Sequence, residues 1–111
     1  MENIQLQAIP NQSLTTLLDG DIYNISIHET SGTMSISISR NNLNLISGFR
    51  LVSGSLTIPY DYLQKGNFSL ITDNNEYPYY TLFGITQFLI FASKSEIEAI
   101  DVTVWSKNSK G

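Results

Sequence analysis

Residues 23–40 read YNISIHETSGTMSISISR. Tyr23, Ile25 and Ile27 alternate with Asn24, Ser26 and His28, and Met34, Ile36 and Ile38 alternate with Ser35, Ser37 and Ser39. Successive side chains on a strand point to opposite faces, so each run has one apolar and one polar face. Ser31-Gly32 between the runs is a turn signal. Asn41-Asn42, just beyond, tolerates left-handed backbone, so residues 33–39 and 43–47 are expected to form a β-hairpin.

The same period extends in both directions. Toward the N-terminus, Leu14 to Leu18 reads as a strand closed by Asp19-Gly20-Asp21, and Ile4, Leu6 and Ala8 alternate in an earlier one stopped at Pro10-Asn11. Toward the C-terminus, Phe49 to Val52 reads as a further strand. Pro59 lacks a ladder donor, so Leu56 to Tyr60 belongs at an edge or in a connection, followed by one helical turn over residues 61–64. Phe68, Leu70 and Thr72 alternate up to the polar turn Asp73-Asn74-Asn75. Ile85 to Ala92 contains the longest apolar run, Phe88-Leu89-Ile90-Phe91, and reads as a central strand covered on both faces. On that reading Phe88 and Ile90 join Ile36, Ile38 and Leu70 in the core. Ser93-Lys94-Ser95-Glu96 fits a capping box for a short helix over 94–99. Asp101-Val102-Thr103-Val104-Trp105 reads as a last strand, either added at an edge or docked on a neighbour. The expected fold is therefore all-β: one domain over residues 1–105, an antiparallel β-barrel or sandwich of about eight short strands, with a flexible polar tail over 106–111.

Composition narrows the function classes. Of 111 residues 41% are apolar and only 14% charged, so Asn, Ser, Thr and Gln carry the polar surface. Such a surface is cheap to bury against another subunit, because few charges must lose their water. The net charge is −4, the wrong sign for a nucleic-acid groove, and the basic residues are dispersed. Near the aromatic segment only Lys65 is basic. There is no cysteine, which favours an intracellular assembly site or a fold stable without disulfides. The N-terminal residues lack the pattern of a signal peptide, and no apolar run approaches the ~20 residues that span a bilayer, so membrane insertion is not expected.

No motif supports catalysis. His28 is the only histidine and lies on a polar strand face, without the partners a zinc site or a hydrolytic triad requires. Asp73 and Glu76 offer oxygen atoms in a turn but lack the glycine-punctuated spacing of a calcium loop. The glycines stand apart, so no phosphate-cradling loop is present. Neither a catalytic residue, a metal nor a cofactor is expected. The feature that does invite a functional reading is Tyr77-Pro78-Tyr79-Tyr80. It lies in residues 58–91, which hold nine of the twelve aromatic residues. Tyrosine presents a large contact area at low entropic cost, which suits a protein interface, a sugar ring or the end of the domain's own core. If this loop is extended, Tyr79 and Tyr80 point opposite ways.

Taken in order, several segments resemble the baseplate plug family of tailed phages, first defined on a cyanophage with a contractile tail. The resemblance rests on Ile4-Gln5-Leu6 through Ile9-Pro10-Asn11-Gln12, on Gly32-Thr33-Met34 with its strand to Arg40, and on Ser47-Gly48-Phe49-Arg50. It continues in Ile58-Pro59-Tyr60-Asp61-Tyr62-Leu63 and Gly66-Asn67-Phe68, and is strongest in Tyr77-Pro78-Tyr79-Tyr80-Thr81-Leu82-Phe83-Gly84-Ile85-Thr86-Gln87. It implies a non-enzymatic structural subunit of the virion tail, packed in the baseplate near the central hub and tail tube and assembled in the host bacterial cytoplasm. Its implied partners are hub, tube and wedge-type subunits, with self-association in a symmetric ring. The candidate interface is then Ile9, Pro10 and Asn11 together with Tyr77, Pro78, Tyr79, Tyr80 and Phe83. The competing reading is a carbohydrate-binding β-sandwich with Tyr77, Tyr79 and Tyr80 around a shallow groove.

Overall fold

The computed structural model defines residues 1–58, 65–97 and 99. Among them seven strands form two antiparallel sheets: β1 (Glu2–Ile4), β2 (Gln12–Leu18), β3 (Asp21–Thr30), β4 (Thr33–Arg40), β5 (Leu43–Arg50), β6 (Gly66–Thr72) and β7 (Gln87–Ser93). β2 to β5 make a four-stranded meander in sequence order, and the second sheet runs β1-β7-β6. Of the two expected architectures, the chain adopts the sandwich.

The meander follows from turn chemistry. Its three connections, Asp19-Gly20, Ser31-Gly32 and Asn41-Asn42, have positive φ at both residues, from 50° to 84°. That is the type I′ geometry, whose twist matches the flanking strands, and Gly, Asn and Asp adopt it at least strain. Asn41 also ties the turn down: its Oδ1 accepts from Ile22 N at 2.9 Å and its Nδ2 donates to Asp21 Oδ1 at 2.9 Å. With the turns fixed the register is fixed, pairing Ile25 with Ile38 and Ile27 with Ile36.

The core lies between the sheets. Tyr23, Ile25, Ile27, Met34, Ile36 and Ile38 face Phe68, Leu70, Leu89 and Phe91, all buried. At its centre the rings of Tyr23, Phe68 and Phe91 pack in a triangle with centroids 5.2–5.5 Å apart. Two buried polar groups share this region. Among the described residues, the Tyr23 hydroxyl and Arg40 Nη1 have no hydrogen-bond partner. Burial pushes the Tyr23 pKa up, and the neighbouring Arg40 guanidinium opposes that rise only in part.

Several expectations need correction. Residues 43–50 form one strand, absorbing the strand expected from Phe49: a register irregularity opposite Ile36 to Ser39 accommodates Gly48, whose N–H donates to Ser37 Oγ at 2.9 Å. The first strand ends at Ile4, although Leu6 keeps the inward phase and is buried. β7 is central in its sheet, but its outer face is not fully covered, so Phe88 and Ile90 are only half-buried. Leu56 does lie at an edge, bridging to Ser69 of β6. The capping box forms as expected: Ser93 N donates to Glu96 Oε1 at 2.9 Å, Glu96 N to Ser93 Oγ at 3.3 Å, and residues 94–97 are helical. Glu96 also binds the Met1 ammonium, which holds its carboxyl below the usual range. The helical turn expected over 61–64, the strand over 101–105 and the tail over 106–111 lie outside the described residues.

Candidate assembly surface

The loop between β6 and β7 is held by a glutamine. Gln87 occupies the inward phase of β7 with Leu89 and Phe91 and has no solvent exposure. Its Nε2 donates to Tyr77 O at 2.8 Å and its Oε1 accepts from Tyr79 N at 3.0 Å. Both ends of Tyr77-Pro78-Tyr79 are thus fixed by one side chain, and Pro78 is buried between them. Tyr79 is extended, but Tyr80–Leu82 turns into a 3-10 helix, which Phe83 N closes on Tyr80 O at 3.1 Å.

This change of backbone overturns the expected opposition of the tyrosines. The Tyr79 and Tyr80 rings pack on each other, centroids 4.7 Å apart and 40° between planes. Both are half-buried against the core. Tyr77 instead faces outward, 51% exposed, with the Arg50 guanidinium 5.9 Å above its ring. That spacing suits a cation–π contact. The Thr33 hydroxyl beside Tyr77, and then Arg50, lower its pKa; burial, then Tyr80 and Glu29, raise that of Tyr79.

The other candidate segment borders the same β3–β4 turn. Gln12 closes residues 7–12 into a compact loop, its Oε1 accepting from Gln7 N at 3.0 Å and its Nε2 donating to Gln7 O at 2.8 Å. Asn11 Oδ1 accepts from Glu29 N at 3.1 Å, which anchors the loop to β3. Glu29 is also the residue whose charge bears on Tyr79. Ile9 is left 40% exposed at the tip, Asn11 is exposed and Pro10 half-exposed. Phe83 stands apart from the other candidates: at 2% exposure its ring belongs to the core of the free chain. The rim thus consists of Ile9, Tyr77 and the accessible edges of Tyr79 and Tyr80.

Two further features complete the surface. The outer face of the meander carries Thr15, Asn24, Ser39 and Asn44 in one paired row, with Ser13, Ser26 and Ser37 in another. Neither row contains a charge, although His28 and Arg50 lie at one end of the face. Sequence reasoning also missed the buried amides. Asn67 is unexposed, and its side chain donates to Ile58 O at 2.9 Å and accepts from Ile58 N at 2.8 Å, clamping the segment after β5. The signal was available for Gln87: it is a polar residue on the apolar phase of the most apolar strand.

No three His, Cys, Asp or Glu side chains gather in a metal-binding group among the described residues. Asp73 and Glu76 are tied into their turn, Glu76 N to Asp73 O at 3.0 Å and Thr86 Oγ1 to Glu76 Oε1 at 2.7 Å. Among those residues, no helix is long and apolar enough to cross a membrane. A family model described as Cyanophage baseplate Pam3 plug gp18 matches residues 1–94. The chain belongs to this phage baseplate plug family. The match takes in every strand of the described residues and both candidate segments, and leaves residues 95–111 outside it. No curated protein matches the chain.

Proposed function

We propose that this chain is a non-enzymatic structural subunit of a phage tail baseplate that packs near the central hub and the tail tube. The observation that carries this reading is the family match over residues 1–94. Hub, tube and wedge-type proteins are its partners, copies of the chain associate in a symmetric ring, and assembly takes place in the host cytoplasm before the plug becomes part of the virion.

The geometry supports a contact made by shape and apolar area. Gln87 and Pro78 pre-order the tyrosine loop, so little entropy is lost when it docks. Tyr77 and Ile9 are the exposed anchors, each contributing on the order of 1.5–3 kcal/mol when fully covered. Repetition around a ring multiplies contacts that would be weak for one copy. The uncharged rows of the meander add a face that another subunit can cover without stripping charges of water. A sugar platform is less well served, because Tyr79 and Tyr80 spend ring area on each other.

The test is Tyr77→Ala introduced into the phage. The side chain is exposed, so the thermal midpoint of the purified variant should stay within a few degrees of wild type. Incorporation of the variant into purified tails should fall several-fold. Normal incorporation would remove Tyr77 from the interface, and a collapsed midpoint would make it a structural residue.

A further inference from the structure

The outer face of the meander changes character at the end beside the tyrosine loop. His28, Ser35 and Arg50 stand opposite one another on β3, β4 and β5. All three lie on the outward phase of their strands, and His28 and Arg50 are exposed. Adjacent strands are ~4.8 Å apart, so an imidazole, a hydroxyl and a guanidinium share a row about 10 Å long. Thr33, two residues before Ser35 on the same face, places its hydroxyl beside the Tyr77 phenol. Each of these groups can donate a hydrogen bond. Glu29 belongs to the opposite phase of β3, and its carboxylate accepts from Gly32 N at 2.7 Å. The ion pair among the described residues joins Met1 to Glu96, so Arg50 has no carboxylate partner there.

We propose that this row receives an aspartate or glutamate of the neighbouring tail protein that covers Tyr77, with the Arg50 guanidinium as counter-ion, a reading that rests on the baseplate role above and names the chemistry of its partner. Arginine suits the task, because its planar fork matches a carboxylate with two parallel hydrogen bonds. A guanidinium stacked on an aromatic ring keeps the N–H groups at its edge for such a partner. Arg50 already sits 5.9 Å above the Tyr77 ring, so little ordering remains when the partner arrives. Charge selects the occupant. A second copy would bring one surface of net charge −4 against another, and a nucleic-acid backbone needs clustered cations that this chain lacks. The tyrosine end would then supply contact area, while the Arg50 pair fixes register and rejects partners without the acid.

The test introduces Arg50→Gln and Arg50→Lys into the phage. Arg50 is exposed, so both purified variants should keep their thermal midpoints within a few degrees of wild type. Incorporation of Arg50→Gln into purified tails should fall several-fold, and Arg50→Lys, which keeps the charge, should fall less. Wild-type incorporation of Arg50→Gln would overturn the proposal. Equal losses in the two variants would also overturn it, by showing that the shape of the side chain matters and its charge does not. Particles carrying Arg50→Lys are then treated with a carbodiimide, which joins an amine to a carboxylate in contact with it. Peptide mass analysis should find position 50 linked to an Asp or Glu of another tail protein. No such link, or a link to a carboxylate of this chain, would overturn the assignment. Normal incorporation of Arg50→Gln beside impaired incorporation of Tyr77→Ala would remove the carboxylate partner and leave the baseplate reading standing.

Discussion

Gln87 holds two backbone groups of the tyrosine loop from a position with no access to water. Gln87→Ala strands Tyr77 O and Tyr79 N, each at ~1–3 kcal/mol, so the expected loss of stability is about 2–6 kcal/mol by denaturant titration. A loss under ~0.5 kcal/mol would mean that water or a shifted backbone replaces the amide, and that the loop is not held by it. Tyr23 presents the reverse case. Its ring is central to the aromatic triangle, but its hydroxyl is buried without a hydrogen-bond partner among the described residues. Tyr23→Phe keeps the ring and removes only that hydroxyl. The denaturation midpoint of that variant should stay level or rise by up to about 1 kcal/mol equivalent. A clear loss would show that the hydroxyl has a partner, with Arg40 the first suspect.

At the scale of elements, β4 shows how directly pattern becomes packing. Its burial alternates residue by residue from Thr33 to Arg40, with Ile36 unexposed. Ile36→Ala should therefore cost about 2–5 kcal/mol, read from the unfolding midpoint, and an unmoved midpoint would reverse the assigned faces. The meander was legible because period-2 alternation and three turn dipeptides agree on one register. Phe88 and Ile90 were not, because an unbroken apolar run carries no phase and cannot reveal which of its faces is covered. β5 was divided in two because a single glycine reads as a break, whereas Gly48 is accommodated as an irregularity within the strand. The tyrosine pair was misjudged for a backbone reason: alternation holds only while the chain stays extended, and Tyr80 starts a 3-10 turn. Tyr79 and Tyr80 consequently meet as a tilted ring pair.

For the whole molecule, a sandwich with two uncharged rows on one sheet face and a pre-ordered aromatic end has the makings of a subunit that is finished by its neighbours. The family match agrees with that picture. On the proposed function, the chain is built into the baseplate with its tyrosine end covered. Tyrosine iodination, followed by peptide mass analysis, tests it by comparing the purified chain with intact particles. In the free chain Tyr77, 51% exposed, should be labelled readily. In particles the chain should be present in fixed stoichiometry with the other tail proteins, and Tyr77 labelling should fall several-fold. Absence of the chain from washed particles, or equal labelling of Tyr77 in both samples, would contradict the account.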